Sequence, residues 1–422
     1  MAASAQRSDT GRTELLEVDP ARELVLAAVR PLPAEEVQLV EALDRVLAED
    51  VIADAPVPAF DGSAMDGYAV RAEDVAGATV GAPARLRLID ESRAGSPAQA
   101  SLAGGDAIAI STGAMIPAGA DAVVRVEDTS TIDGEVAVLV PVPTGRDIRR
   151  AGEDLQAGQQ VLARGRLLGP AELGVLASLA RATVHCARRP RLSVLVSGDE
   201  LLGPGEQARP GGVRDSNSLT ISALAHRAGA EVVRVGSVGD DAEATTSAIA
   251  AALEDVDLAV ICGGVSVGVH DHIKSSLAAV GALEEFWGLA LKPGSPTWFG
   301  TLGQTLIFGL PGNPVSAMVT FTLLVAPALR GLLGMPTDSP RATAVMARDY
   351  EKAAGRAHAV RCRLSAHQDG WHADPTGPQG SHILTSMLAA DALAIVPSHV
   401  ELVRAGERVE IEPLRRWVEG EG

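Results

Sequence analysis

The amino-acid sequence predicts a multidomain α/β plus β protein built around a doubly wound, mostly parallel sheet. Apolar strands alternate with helical patterns between residues 190 and 333, which is typical of a parallel sheet with helices on both faces. Short β-branched runs separated by Gly, Pro and Asp fill residues 66–148 and indicate a smaller β-rich domain. A chain of 422 residues is long enough for about three domains.

The elements of the α/β region follow from hydrophobic patterning. We expect strands at 192–197, 231–238, 257–262 and 305–310, helices at 218–228, 241–253 and 271–280, and a final helix from residue 313 onwards. Sheets of this kind bind ligands beyond the carboxyl ends of their strands. A functional site is therefore expected in the turns that follow these strands.

Helical signals also occur outside the α/β region. Residues 19–56 hold helical patterns, with Asp19 as N-cap and Pro20 in the first turn. Residues 171–180 (AELGVLASLA) predict a second helix. If this helix packs with the first helical segment, the β-rich unit is an insertion, an arrangement that the residues themselves leave open. The most apolar stretch, 317–329, predicts a buried helix.

Composition argues against two kinds of partner. The formal net charge of −18 argues against a nucleic-acid binder, which needs Lys and Arg to neutralise phosphates. Aromatic residues make up only 3% of the chain, which leaves little for base stacking. Residues 317–329 are too few to span a bilayer and contain a proline, so no membrane association is expected. An anionic ligand would have to be attracted locally, against the field of the protein.

Cysteine usage and the first residues indicate the compartment. Cys186, Cys262 and Cys362 lie far apart without a CxxC pair, which fits neither a zinc-binding pattern nor a disulfide framework. The stretch MAASAQRSDTGR lacks the basic and apolar regions of a signal peptide. We therefore expect a cytoplasmic protein.

Polar turns that contain glycine follow the predicted strands. In chain order they are Gly198-Asp199-Glu200, Gly239-Asp240-Asp241, Gly263-Gly264 and the stretch LPGNP (310–314). Because the carboxyl ends of parallel strands lie at one edge of a sheet, we expect these turns to converge there.

The third turn belongs to the stretch LAVICGGVSVGVHDHIK (258–274), which has several interpretations. A tight metal site is disfavoured, since the neighbouring side chains of His270, Asp271 and His272 diverge at a helix start. A P-loop is excluded, since Lys and Ser/Thr do not follow Gly268. Two interpretations stay open: a helix N-terminus that binds an oxyanion, and a tight turn whose glycines serve packing alone.

The last turn, GLPGNPVSA (309–317), favours the anion-binding interpretation. Asn313 suits an N-cap, Pro314 suits the first helical position, and Gly312 allows close approach to the backbone. Lys274 and Lys292, two of the three lysines of the chain, lie near these turns in the sequence. Two helix N-termini with lysines nearby predict a phosphate or oxoanion site.

Carboxylates elsewhere in the chain suggest a divalent cation. Asp61 and Asp66 flank Ser63 in the loop PAFDGSAMDGYAV, and further carboxylates occur at 149–154 and 214–217. Such groups suit Mg²⁺, which prefers oxygen ligands and bridges to phosphates. Asp-Gly pairs also simply form turns, and the sequence leaves open both that alternative and whether these loops meet.

These motifs, in this order, resemble the molybdopterin molybdenumtransferases of the MoeA type, which are related to the C-terminal enzymatic domain of gephyrin. The resemblance covers about residues 15–415 and rests on FDGSAMDGYAV, STGAMIPAGADAVV, RRAGEDL, SGDELLGPGE, VRDSNS, GGVSVGVHD, KPGSP, GLPGNPVSA and PQGSHIL. It implies an elongated homodimer whose active-site cleft lies between the sheet domain of one subunit and the β-rich domain of the other. The implied domains are a discontinuous helical stalk (15–57 and 149–188), an inserted β-rich domain (58–148), the doubly wound α/β domain (189–334) and a small C-terminal β-barrel (338–420).

The resemblance also implies a reaction and its residues. Adenylylated molybdopterin and molybdate would be the substrates, Mg²⁺ the cofactor and AMP the released product. Carried over by position, the catalytic residues are Asp66, Glu200, Asp215, Asp271 and Lys292, of which Glu200, Asp215 and Asp271 would hold the metal. The substrate-binding residues are Thr112, Asp154, Gly198, Gly263, Gly264, Ser266, Gly268, Lys274, Pro311, Gly312, Asn313, Pro314, Arg361 and Ser381.

The sequence departs from the family at three positions. Gly288 and Ser295 stand where relatives often carry basic residues, and His272 stands where a tyrosine is usual. These differences remove positive charge from the expected oxoanion site. Two alternatives stay open. One is a non-catalytic paralogue or scaffold, which the missing basic residues favour and the intact acidic residues disfavour, and the other is a nucleotide hydrolase of the competence-damage-inducible type. The SAMDGYAV loop and the C-terminal domain argue against the hydrolase.

Overall fold

The structure is a computed structural model that describes residues 15–132, 134–239, 241–265, 272–337 and 342–414. The predicted site residues Ser266, Gly268 and Asp271 lie outside the described residues. Helices within the described ranges are α1 (Val18–Ala28), α2 (Pro170–Ser178), α3 (Asn217–Arg227), α4 (Ala242–Ala252), α5 (Ile273–Ala279), α6 (Pro314–Thr320), α7 (Ala326–Leu332) and α8 (Thr385–Leu388).

A doubly wound sheet occupies the centre of the chain, as predicted. Its strands lie in the order Glu231–Val238, Arg191–Ser197, Leu258–Cys262, Thr305–Leu310, Trp298–Leu302 and Leu283–Trp287. The first four are parallel and match the predicted strands within one residue, whereas the last two are joined by antiparallel pairings. Those two strands were not predicted. Glu284 and Glu285 interrupt the apolar pattern of the edge strand because they are exposed there.

Helices cover both faces of this sheet. Side chains alternate along the first strand, so that Val194 and Val196 face one core and Leu195 faces the other. Helices α1, α3, α6 and α7 contribute to the first core, and α4 and α5 contribute to the second. This is the layered arrangement that the strand–helix alternation predicted.

The helical stretch Pro314–Leu332 is the one part of the described chain that is long and apolar enough to cross a membrane. It has a mean hydropathy of 1.6, but 72% of it is buried inside the protein. The π-helical residues Phe321–Val325 join α6 to α7 within it. The prediction of a buried helix at 317–329 is confirmed, although the observed helical stretch is longer.

A mixed sheet forms the β-rich unit. Its strands lie in the order Ala122–Arg125, Gly67–Val70, Asp106–Ile110, Ala84–Ser92, Glu135–Val138 and Thr129–Ile132. Their buried aliphatic side chains form two small cores of their own. Gly62–Ser63 and Ile148–Arg149 pair where the chain enters and leaves this unit.

Two distant segments meet beneath the β-rich unit, which is thereby an insertion between them. Ala34–Gln38 pairs with Thr183–Ala187, and Val51–Ile52 pairs with Gln160–Leu162. Helix α2 packs against the same core. The β-rich unit therefore interrupts one continuous packing unit.

The helical prediction for residues 19–56 is wrong beyond Ala28. Pro31 and Pro33 follow the end of α1, and proline cannot donate the hydrogen bond that a helix interior needs. The N-cap position is Glu17, and Asp19 lies inside the first turn. Helix α1 itself packs into the core of the α/β unit rather than against α2.

The described residues of the C-terminal unit form a closed five-stranded barrel, as the resemblance implied. Around the barrel its strands are Ala357–His367, Gly370–Pro375, Ala342–Met346, Arg408–Pro413 and Ala392–Val396, and the last pairs with the first. Leu291–Lys292 leaves the α/β unit and pairs in parallel with the start of Ala357–His367. The exact domain boundaries stay predictions.

Candidate functional site

The turns after three parallel strands meet at one edge of the α/β sheet. From the strand Arg191–Ser197 the chain continues to the outer strand Glu231–Val238. It then returns to form Leu258–Cys262, on the opposite side of Arg191–Ser197. A Cβ placed on Gly263 would lie 2.7 Å from the carbonyl oxygen of Ser197, and one on Gly312 would lie 3.6 Å from the Cα of Gly263. In the remaining predicted turn, a Cβ placed on Gly239 would meet the side chain of Asp199. The predicted convergence is therefore present at the switch point of the sheet, where open α/β sheets bind ligands.

The double glycine at 263–264 is required by this packing. Gly263 and Gly264 have φ values of 89° and 64°, a left-handed conformation that other residues rarely adopt. A Cβ on Gly264 would also contact the side chain of Ile273 in α5. The two glycines thus let the strand end, the turn and α5 approach each other closely.

Glu200 and Asp215 are joined by a short parallel pairing. Leu201–Leu202 pairs with Val213–Arg214, and the carbonyl of Glu200 accepts a hydrogen bond from the Val213 N–H at 2.8 Å. The Glu200 carboxylate folds back over Gly198, where a Cβ would lie 2.5 Å from one of its oxygens. The structure therefore brings these two predicted acids to the same edge of the sheet.

Asp215 lies near the end of the parallel strand Leu258–Cys262. Burial raises the pKa of the Cys262 thiol to about 12, and the negative charge of Asp215 adds to this effect. Asp215 Oδ1 accepts a hydrogen bond from the Ser218 N–H at 3.0 Å, at the start of α3. A carboxylate fixed against the first turn of α3, beside the glycine turn, suits a site that assembles oxygen ligands.

Asn217 lies at this edge of the sheet and was not among the predicted site residues. Its Nδ2 donates a 2.7 Å hydrogen bond to the carbonyl of Gly312, which ties α3 to the last turn. Its Oδ1 is buried and has no hydrogen-bond partner in the part of the chain that the structure describes. The motif VRDSNS contained this residue, but only the fold shows that it faces Gly312.

The residues around the last turn lie as expected, with one difference. Pro311 and Gly312 form the turn, and Pro314 is the first residue of α6. Asn313 occupies the N-cap position, but its side chain makes no capping hydrogen bond. The predicted N-cap position of Asn313 is therefore confirmed, without a capping hydrogen bond from its side chain.

Lys274 is the second residue of α5 and lies close to the glycine turn. Its Nζ is 3.9 Å from the centroid of the Trp287 ring. The described residues contain no group of three or more His, Cys, Asp or Glu that could hold a metal ion. The predicted third metal ligand, Asp271, lies outside those residues, so the predicted metal site stays a prediction.

A second group of predicted residues lies in and beside the β-rich unit. The Thr112 backbone N–H and hydroxyl both donate to Asp66 Oδ1, at 2.7 and 3.0 Å, and these bonds lower the pKa of Asp66. The Ala151 N–H and the Arg150 guanidinium likewise lower the pKa of Asp61. The Asp154 N–H donates to the Val57 carbonyl. All of these bonds join residues between 57 and 154, and none of them reaches a residue of the α/β sheet.

A third group lies where the α/β unit joins the barrel. Arg361 is fully buried, and its Nε and Nη1 have no partner among the described residues. Its Nη2 donates to the carbonyls of Pro378 and Gly380, at 3.4 and 3.2 Å, next to Ser381. Lys292 is exposed and has His358 as its register partner. His358 and Arg361 are three positions apart along one strand, which is about 10 Å.

His358 was not predicted as part of this region. It is buried and bonded through Nδ1 to the Tyr350 hydroxyl at 3.1 Å. Burial, followed by the charges of Lys292, Lys352 and Arg356, lowers its pKa to about 4. A neutral histidine beside Lys292 leaves the positive charge here to lysine and arginine. No sequence signal indicated it, because the pairing of 291–292 with 357–358 joins distant segments.

Family models match nearly the whole chain. A model described as the MoeA N-terminal region (domain I and II) matches residues 16–180. A second, described as a probable molybdopterin binding domain, matches residues 193–331. A third, described as the MoeA C-terminal region (domain IV), matches residues 343–414.

Similar proteins agree with these matches. The chain is 38% identical over 404 residues to the molybdopterin molybdenumtransferase of Haemophilus influenzae, covering 94% of this chain and 98% of the relative. It is 36% identical to the molybdopterin molybdenumtransferase of Bacillus subtilis, covering 90% of each chain. The crystal structure of the MoeA protein of Pyrococcus horikoshii has a TM-score of 0.80 and 31% identity, covering 94% and 99% of the two chains. The chain therefore belongs to the MoeA family of molybdopterin molybdenumtransferases, which act in molybdenum cofactor biosynthesis.

Proposed function

We propose that this transferase inserts molybdenum from molybdate into adenylylated molybdopterin, with Mg²⁺-dependent release of AMP. The observation that carries the proposal is the close packing of the Gly263 turn against Ser197 and Gly312, with Asn217 bonded to Gly312. This arrangement brings the glycine turns together with the polar side chain of Asn217 at the switch point of the sheet. A switch point of this kind is where open α/β sheets bind ligands, and it would receive the phosphate end of an adenylylated ligand.

Positive charge at the site supports anionic substrates. Molybdate and the adenylylated pterin are both anions, and the protein has a formal net charge of −18. Lys274 and Lys292 form no ion pair with a carboxylate in the described ranges. The buried guanidinium of Arg361 has two groups without partners in the described chain, and burying an unpaired charge is costly. An oxoanion at this junction would offset that cost.

Residues at the sheet edge fit Mg²⁺. Glu200 and Asp215 supply carboxylate oxygens, and the partnerless Oδ1 of Asn217 is a further hard oxygen nearby. Together with Asp271 they would hold the cation beside the phosphates of the substrate. When bound, Mg²⁺ supplies Lewis-acid polarisation of the phosphoanhydride.

A cleft formed by two subunits would explain why the predicted site residues lie in separate groups within one chain. Asp66, Thr112 and Asp154 make their bonds within 57–154 and not at the sheet edge. In a homodimer, the β-rich unit of one subunit would complete the cleft of the other. The proposed setting is the cytoplasm, with no nucleic-acid or membrane partner.

Family membership across residues 16–414 favours the transferase over the non-catalytic scaffold and the nucleotide hydrolase. The decisive experiment expresses the protein in cells that lack their own molybdenumtransferase. Recovery of nitrate reductase activity is the expected result. Purified protein should also release AMP from adenylylated molybdopterin only when molybdate and Mg²⁺ are present. Failure of both assays with folded protein would refute the proposal.

A further inference from the structure

We propose that Trp287 is a positioning residue that holds Lys274 beside the glycine turn for binding of the anionic substrate. The inference rests on the proposed function, in which that turn receives the phosphate end of the ligand. Two contacts of the Trp287 indole support the proposal. The Nε1–H of Trp287 donates to the carbonyl of Val265 at 2.8 Å, and its ring lies 3.9 Å from Lys274 Nζ.

The location of Trp287 follows from the register of the sheet. Trp287 ends the edge strand Leu283–Trp287 and lies opposite Trp298, which in turn pairs with Gly309. The indole is thus placed at the carboxyl edge of the sheet, level with the last turn. It is only partly buried, and one face of the ring is covered by Lys274.

Val265 is held from two sides. Its side chain packs over Gly309, where a Cβ would lie 2.6 Å from Val265 Cγ1, and it is almost fully buried. Its carbonyl accepts the indole hydrogen bond of Trp287. The backbone that leaves Gly264 is therefore fixed in both position and direction.

Lys274 is held by the same indole. No carboxylate of the described residues pairs with it, so its ammonium contact is the cation–π interaction with Trp287. The preceding residue, Ile273, packs against Gly264. The glycine turn, α5 and the indole of Trp287 thus contact one another around Lys274. Without the ring, the flexible lysine side chain would lose its fixed direction toward the turn.

The test uses two variants and one matched control. Trp287→Phe keeps an aromatic ring beneath Lys274 but removes the N–H, and Trp287→Leu removes both contacts. Trp298→Phe removes a comparable indole hydrogen bond, which goes to Glu284 at 2.6 Å, away from Lys274. The chain has only three lysines, so chemical labelling can be read residue by residue: Lys292 is the exposed reference and Lys352 the buried one.

We expect Trp287→Leu to raise the labelling of Lys274 relative to Lys292 by about three- to tenfold in ligand-free protein. It should raise the KM for adenylylated molybdopterin by a similar, roughly three- to tenfold factor while kcat changes less, because substrate binding is what is lost. Trp287→Phe should raise KM with little change in labelling. Trp298→Phe should change neither quantity.

The proposal is overturned if Trp287→Leu leaves the labelling ratio unchanged, or if Trp298→Phe raises KM as much as the Trp287 variants do. Should Trp287→Leu fail to fold, Trp287→Phe and Trp287→Met provide the same comparison of ring and N–H. The labelling measurement needs no turnover. A wild-type protein without AMP release would refute the proposed function, while the labelling ratio would still decide whether Trp287 restrains Lys274.

Discussion

Thr112 donates two hydrogen bonds to the same oxygen of Asp66, one from its backbone N–H at 2.7 Å and one from its hydroxyl at 3.0 Å. Both bonds favour the ionised carboxylate and lower its pKa. Asp66 is therefore held charged and in one orientation on an exposed loop. A fixed anion on the β-rich unit is what a partner subunit would present to a cation at the sheet edge.

The first prediction concerns assembly. Asp66→Ala and Asp215→Asn subunits should each be inactive as homodimers. If each cleft combines two subunits, one cleft of every mixed dimer is intact, and random exchange should restore about a quarter of wild-type AMP release. Subunit exchange is confirmed by mass spectrometry of the native dimers. An absence of recovery after exchange would count against a shared cleft.

The second prediction concerns the metal. Asp215→Asn and Asp271→Asn should each lower AMP release at least about 100-fold, as expected for loss of a key electrostatic group. The Oδ1 of Asn at position 215 can accept the same hydrogen bond from the Ser218 N–H, so α3 should stay folded. Asp241→Asn is the matched control, because Asp241 caps α4 through the Ala244 N–H at 2.8 Å. Full activity in EDTA, or normal rates for both variants, would contradict a Mg²⁺ site.

The third prediction concerns molybdate. Lys292→Ala should raise the molybdate concentration needed for AMP release, and Ser295→Lys should lower it by adding charge nearby. High ionic strength should weaken the molybdate response, since the site is partly exposed. Arg85→Ala removes a distant charge paired with Glu135 and serves as control. A normal response of Lys292→Ala would show that molybdate binds elsewhere.

Gly288 cannot supply the missing charge in the same way as Ser295. Its φ is 89°, and a Cβ there would lie 2.8 Å from the side chain of Leu15. A basic residue at 288 would therefore require local rearrangement, whereas Ser295→Lys loses only a hydrogen bond to the Leu289 carbonyl. This is why the charge-restoring variant is placed at Ser295.

The fourth prediction concerns Arg361. Replacing the buried guanidinium with methionine should raise the unfolding free energy by about 1–3 kcal/mol, because an incompletely paired charge no longer has to be buried. The same Arg361→Met change should abolish the response to molybdate. Thermal unfolding and the molybdate dependence of AMP release measure the two effects. A less stable variant, or one with an unchanged response, would argue for a structural role only.

The fifth prediction concerns pH. The pKa of His358 is lowered to about 4 from an ordinary 6.5, so the unfolded chain binds more protons between these values. Stability due to neutral His358 is therefore present above pH 6.5 and is lost as the pH falls toward 4. Between pH 7 and 5, the thermal midpoint of the wild type should fall further than that of His358→Gln. Equal shifts would show that His358 titrates normally.

Local sequence patterns were sufficient to predict elements in which buried residues recur regularly along the chain. The apolar run at 305–310 is a strand with the predicted bounds, because a strand inside a sheet is apolar at most positions. The glycine turns were also visible, since Gly263 and Gly264 interrupt an apolar run. In both cases the physical cause lies within a few neighbouring residues, where sequence alone can reveal it.

Pairing between distant segments was decided only in the tertiary structure. Residues 34–38 form a strand because they pair with 183–187, and the edge strand at 283–287 depends on 298–302. The side-chain Nδ2 of Asn217 donates to the carbonyl of Gly312, 95 residues away, and His358 lies beside Lys292. Register and side-chain direction between such segments are set by the packing of the whole fold. The sequence by itself thus determined the four parallel strands, the glycine turns and the family, whereas the packing decided which distant segments pair and which of their polar groups contact each other.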